Sequence, residues 1–295
     1  NFYKKNPQAW SSQRLIFFYL IQSIALISIL IWVLGTINPL LDAPIKFIVH
    51  NYFSLGASDK IPGIYVGLMD DGFFRVLWIT HISFLPMLFI SLYYQKNISA
   101  LIFMIAIFAT YTRAFWIALF ILLIFLFLRD IFFKRNFLGR RLIMSSLFLS
   151  IILLPIYAEF VIILIDRLIA LLYDESSSVR ITQSIALFNE WQKHPLIGNG
   201  FGSYADFNSS SSAPYSYELT YLGLLMKLGL VGFLTLFLLF AYHINYTKEL
   251  SNKRMCNFFG ILSILAVSFT NPYLINFVGL GFISMLIIEY NYDEK

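Results

Sequence analysis

The chain has 295 residues, 59% of them hydrophobic and 18% aromatic against 13% charged, and its mean hydropathy is +0.75. That composition excludes an ordinary soluble domain, and its continuous apolar runs, lacking the roughly ten-residue alternation of an outer-membrane barrel, read as membrane helices. The net charge of +5 is scattered through apolar sequence and gives nucleic acid no basic face, while Cys256, the one cysteine, excludes an internal disulfide and a cysteine-based metal site.

The sequence opens on Asn1 without an initiating Met or a signal-peptide pattern, which reads as the C-terminal part of a longer protein with further helices before it. The first predicted span covers about 15–34. Residues 36–74 then form a periplasmic or re-entrant segment, too polar to span and too apolar for a free loop, with an interfacial helix expected near 45–53. Spans follow over about 76–93, 98–111, 114–128 and 142–165, the middle two making a hairpin with Arg113 at its apex.

The longest polar stretch, 166–218, is read as a large periplasmic loop that contains helical structure. Within it "SSSVRITQSIALFNEWQKHP" predicts an amphipathic helix, with serines placed to cap it, Arg180 in its first turn and Pro195 beyond its end. "LIGNGFGSY" follows, a chain reversal that calls for glycines at positive φ. Predicted spans over 219–242, 258–270 and 273–288 complete the chain. The expected fold is all-α, a polytopic integral membrane helical bundle of about eight spans forming a single membrane domain over 1–295.

Alternate threading of these spans places 13 of the 21 Lys and Arg residues on one side, with the run "RDIFFKRNFLGRR", and most of the 16 acids on the other. By the positive-inside rule the basic side is cytoplasmic. Arginines on the opposite side therefore ask for a reason, and they are Arg75, Arg113, Arg167 and Arg180. Arg113 either snorkels to lipid headgroups or binds a phosphate. Arg180 either pairs with Asp174 or Glu175 or completes an anion site at a helix start. Arg75 has Asp70 and Asp71 as neighbouring partners, an acidic pair that is also the one candidate for a divalent cation. Arg167 sits beside Asp166 at a helix end.

His194 precedes Pro195 and reads mainly as a helix stop, and His50 and His81 have no partners at ligand spacing. Lys227 falls about 13 Å along the helix that follows Glu218 at 1.5 Å per residue, a depth that requires snorkelling or a water-filled cavity. Glu218 is the outer acid best placed to act, although a helix dipole alone accounts for an acid there. No nucleophile elbow, phosphate loop or dinucleotide fingerprint occurs.

"SVRITQSIALFNEWQKHPLIGNGFGSY" followed after a polar gap by "ELTYLGLLMKLGLVGFLTLF", with "TRAFWIAL" upstream, resembles the O-antigen polymerase and O-antigen ligase superfamily over roughly 109–240. The family's catalytic His-Asn lies eleven residues before the Gly-Leu-Val-Gly helix, and the count back from Gly229 lands on Glu218 and Leu219. The resemblance implies a metal-independent, cofactor-free, inverting glycosyltransferase in the bacterial inner membrane, its active site facing the periplasm. Undecaprenyl-diphosphate-linked oligosaccharides would be donor and acceptor, in a setting of membrane lipids and with a chain-length regulator as a further partner. It casts Glu218 as general base and Arg113 and Arg180 as diphosphate ligands with Arg75 assisting, and leaves His194, Lys227 and Tyr217 as further candidates; Trp191, Tyr204, Tyr215 and Tyr217 either line a sugar path or simply pack. Glutamate in place of histidine points to a polymerase. A ligase, a protein O-oligosaccharyltransferase and a lipid-linked glycan transporter are the rival readings.

Overall fold

A computed structural model describes residues 7–48, 65–69, 74–132, 175–207, 217–245, 252–269, 274 and 277–291. Helix α1 (Pro7–Ile37) leads through a 3-10 turn (Pro39–Leu41) into the short α2 (Asp42–Ile48). Strands β1 (Tyr65–Leu68) and β2 (Phe74–Leu77) follow, then a second 3-10 turn (Ile79–Ser83), α3 (Phe84–Tyr93), α4 (Asn97–Ala109) and α5 (Arg113–Phe132). The later elements are α6 (Glu175–Trp191), α7 (Thr220–Asn245), α8 (Asn252–Val267) and α9 (Phe277–Asn291). Among the described residues α1 and α7 are long and apolar enough to cross a membrane, over Gln13–Ile37 and Thr220–Tyr242, and α4 and α8 are shorter apolar helices.

The chain is mostly helical, but the all-α expectation needs one correction. Residues 65–68 and 74–77 form an antiparallel pair, with Tyr65 opposite Leu77 and Leu68 opposite Phe74. The helix expected over 76–93 is consequently shorter and starts at Phe84. Burial explains the strand: Phe74 and Val76 point into the core at full burial while Arg75 faces the other way, the period of two that a strand imposes. Gly35 of α1 makes room for this, since a Cβ there would run into the Phe74 ring. Asp42 of α2 ties down β1 by accepting the Leu68 N–H at 2.8 Å, its other oxygen taking Lys46 at 2.7 Å. Of the helix expected at 45–53, residues 45–48 fall in α2, which starts earlier, at Asp42, and residues 49–53 lie outside the described residues.

The core gathers around α3, buried along nearly its whole length and packed between α4 and α8, with α1 against α4 and α9 against α8. His81 is fully buried here and serves this packing. Its Nδ1 accepts the Trp78 N–H at 3.2 Å, which leaves Nε2 to donate to Ser28 Oγ on α1 at 3.0 Å. The turn between α4 and α5 falls at Thr110–Thr112, with Tyr111 at φ 49°, so Arg113, expected at the apex, opens α5 instead. The span expected at 142–165 and the apex expected at Asn271–Pro272 lie outside the described residues.

Helix α7 is not the uninterrupted rod expected over 219–242. At Gly229 φ is 64° and ψ −177°, and the helical hydrogen-bond ladder breaks. The tip that follows α6 fills the break. Asn199 and Gly200 donate their N–H groups to the carbonyls of Met226 (3.0 Å) and Lys227 (2.9 Å), while Leu230 and Val231 donate theirs to Pro195 (2.9 Å) and Leu196 (3.0 Å). Gly198, at φ 74°, sits back to back with Gly229, and a Cβ on either would collide with the other's backbone. Asn199 also locks the tip to α6 by donating from Nδ2 to the Glu190 carbonyl at 2.8 Å.

A substitution that keeps the chain apolar but adds one methyl tests this joint. Left-handed backbone alone costs an L-residue about 1–2 kcal/mol, before any collision. Gly229→Ala is expected to lower the melting temperature of the detergent-solubilised protein by several degrees or to broaden its gel-filtration peak. Gly202→Ala, where a Cβ meets nothing within 4 Å, leaves both measurements unchanged.

Candidate functional site

Two groups of the expected residues are placed by the structure, one where the N-terminal part of α6 meets the start of α7 and one at the α4–α5 turn. In the first, the Arg180 guanidinium grips Glu218 through Nε and Nη2, both 3.0 Å from Oε2. Glu218 lies two residues before α7 begins at Thr220, so its side chain leaves the helix end rather than a helix flank. Arg180 is not in the first turn of its helix, because α6 already begins at Glu175, and the serines expected as caps lie inside the helix. Its acid partner is Glu218, across the gap between two elements. Of the partners expected for it, Asp174 and the Glu175 side chain lie outside the described residues.

The pair is open to water on the carboxylate side. The Glu218 side chain is 48% exposed and that of Arg180 is 28% exposed. The Glu218 side chain projects from the end of α7 toward solvent, with the Arg180 guanidinium against it. An ion pair this exposed contributes no more than about 1 kcal/mol to stability, so its value lies in orientation.

Sequence reasoning missed the residue that sets this geometry from below. Gln183 is 1% exposed, and its Oε1 accepts the Leu219 N–H at 3.0 Å. It stands three residues after Arg180, one turn on along the same face of α6. One helix thus holds the Glu218 carboxylate through Arg180 and the adjoining backbone through Gln183. The signal available in the sequence was that spacing, a polar residue one turn from the arginine on a face otherwise continued by the buried Leu187.

Tyr217 and Lys227 frame the same corner. The Tyr217 hydroxyl accepts the buried Ala205 N–H at 2.6 Å and so pins the segment that follows the glycine turn. Burial pushes the phenol above its ordinary pKa, the Ala205 N–H partly offsetting this and the Glu190 charge adding to it. The Lys227 ammonium lies 5.7 Å from the centre of the Tyr217 ring, a cation–π distance. His194 is an exposed turn residue whose N–H donates to Trp191 at 3.1 Å and whose carbonyl accepts from Gly198 at 2.9 Å. Trp191 donates from its indole to the Pro195 carbonyl at 3.1 Å, and Tyr204 is exposed. Tyr215 lies outside the described residues.

In the second group Arg75 reaches from β2 to the α4–α5 turn. Its Nε donates to the Thr110 carbonyl and its Nη2 to Thr112 Oγ1, each at 3.1 Å. It thereby satisfies a carbonyl at the C-terminal end of α4 and sits one residue from Arg113, the first residue of α5. Two cations and the amino end of a helix are gathered here, an arrangement that favours anions. Arg113 has one guanidinium nitrogen, Nη1, shut off from solvent, which sets it apart from a side chain reaching freely into water. Asp70, Asp71, His50, Asp166 and Arg167 lie outside the described residues, the acidic pair read as a cation site among them.

An apolar helical scaffold with an arginine–carboxylate pair at one helix end and Arg75 bonded to the turn before Arg113 is consistent with a helical membrane protein. Residues 98–237 match the family model described as O-antigen ligase, which bears out the resemblance to the O-antigen ligase and polymerase superfamily, a family of membrane-embedded glycosyl-transfer proteins. No curated protein and no solved structure matches the chain. The matched segment holds Arg113, Arg180, His194, Glu218 and Lys227, together with both glycines of the α7 joint, while Arg75 lies before it.

Stability measurements separate anchoring residues from poised ones. Tyr217→Phe strands the buried Ala205 N–H and is expected to cost about 1–3 kcal/mol, read as a lower melting temperature. Arg180→Ala removes only an exposed ion pair and is expected to stay within about 1 kcal/mol of the parent.

Proposed function

We propose that the protein polymerises undecaprenyl-diphosphate-linked oligosaccharide repeat units on the periplasmic face of the inner membrane, as an O-antigen or related surface-polysaccharide polymerase. The observation that carries this reading is the Arg180–Glu218 pair at the outer end of α7, inside the segment that matches the O-antigen ligase family. Glu218 stands where the family resemblance puts a histidine, and a carboxylate there favours the polymerase reading over the ligase one.

The chemistry is a displacement at a sugar carbon. The growing glycan is carried on one lipid diphosphate, whose charge Arg113 and Arg180 take up, Arg75 holding the hairpin turn beside them. A hydroxyl of the terminal sugar on a second lipid-linked repeat unit attacks the anomeric carbon. The new carbon–oxygen bond forms as the bond to the diphosphate breaks, and the diphosphate departs with the electron pair. Glu218 accepts the hydroxyl proton. Attack opposite the leaving group inverts the anomeric centre, and the arginines supply the charge stabilisation that the step requires without a metal.

The ion pair gives Arg180 two tasks. With the site empty it holds the Glu218 carboxylate aimed. When a diphosphate arrives, the guanidinium has a more highly charged partner and releases the carboxylate to meet the attacking hydroxyl. Transfer to another acceptor is the second reading, since the matched family is described as a ligase. The acceptor would then be a lipid A core or a protein hydroxyl.

Glu218→Gln, Arg113→Ala and Arg180→Ala, each expressed in cells that make the cognate glycan and lack the chromosomal copy, test the assignment. The expected result is loss of long chains on a gel, a drop of at least about 100-fold for Glu218→Gln given the usual contribution of a general base, with single-repeat species retained. Long chains persisting in every variant overturn it, and glycan missing from the core altogether indicates a ligase.

A further inference from the structure

The tip between α6 and α7 carries a surface that the proposed transfer reaction does not use. Leu196, Ile197 and Phe201 are 61%, 76% and 68% exposed, large apolar side chains at the outermost point of a turn. The backbone bonds from Leu230 and Val231 fix that turn at the level of the α7 break. Below the break, the exposed flank of α7 continues the apolar surface through Val231, Leu234 and Leu238.

Length then identifies what covers it. From Leu230 to Tyr242, where its apolar stretch ends, α7 rises about 20 Å at 1.5 Å per residue, short of the roughly 30 Å of a bilayer's hydrocarbon core. The membrane that α7 crosses must therefore extend past the break, to the height of the tip. The break is built for that position: Met226, Lys227, Leu230 and Val231 all find backbone partners in the tip, as non-helical backbone at membrane depth requires. Lys193 and His194, exposed just before the turn, supply the polar edge of an interfacial anchor, with the Lys193 ammonium held by Glu190 at 2.6 Å.

We propose that Leu196, Ile197 and Phe201 insert into the lipid boundary beside α7, with Lys193 at the headgroup level, so that the bilayer itself holds the tip. Because α6 connects this anchor to Arg180 at its other end, insertion also sets the height of the Arg180–Glu218 pair above the membrane.

Site-directed spin labelling of the full chain tests this in nanodiscs of phosphatidylethanolamine and phosphatidylglycerol, on a Cys256→Ser background. Labels at Ile197→Cys and Phe201→Cys are expected to collide with molecular oxygen several-fold more than with a water-soluble nickel chelate, as a label at Leu238→Cys does. Asp206→Cys, at an exposed polar position, gives the reverse. A nickel-dominated pattern at Ile197 and Phe201 overturns the proposal, because the tip then stands in water. Low collision with both reagents overturns it as well, because protein then covers the tip.

Discussion

Two glycines that touch back to back govern the part of this protein built from α6 and α7. Gly229 breaks α7 and Gly198 lets the preceding tip approach closely enough to repair the break, and neither is useful without the other. A helix carried through residue 229 would leave the tip nowhere to dock, and a tip without its glycine would leave two carbonyls and two N–H groups of α7 unpaired. The price of left-handed backbone at both positions is offset by hydrogen bonds that could not otherwise form in an apolar setting.

From that joint the rest of the corner follows. Docking of the tip brings α6 alongside the first half of α7, and this places Arg180 and Gln183 opposite Glu218 and Leu219. Burial divides the work: Gln183 and Tyr217 are enclosed and fix backbone, whereas Arg180 and Glu218 remain open and can exchange partners. At the α4–α5 turn, a strand delivers the Arg75 guanidinium so that Thr110 and Thr112 are held together just before Arg113 in the chain.

Much of this was legible in the sequence where long-range chemistry leaves a local mark. The apolar runs of α1, α4 and α5 announced themselves by length, the hairpin turn by its Thr-Arg apex, and the positive-φ glycines by their density in "LIGNGFG". The break at Gly229 was not legible, because a single glycine in an apolar helix is ordinary and its meaning depends on a loop far away in the chain. The strand pair was missed for a related reason. "IYVGL" and "FFRVL" flank a turn-forming Asp-Asp-Gly, which is a hairpin signal, but the apolar run that continues into α3 reads equally well as one long span. For Arg180 the sequence pointed to nearby acids, whose side chains lie outside the described residues, and the structure adds a distant one, Glu218.

The shared backbone of α6, its tip and α7 also bears on how the protein is made. The tip is synthesised before α7, so its Asn199 and Gly200 N–H groups emerge without the carbonyls they serve, and α7 emerges with a fracture that only the tip can close. Neither piece is a finished unit for release into lipid. Biogenesis must therefore keep the earlier segment at hand until the later helix arrives, and the two then leave the insertion machinery as one folded module.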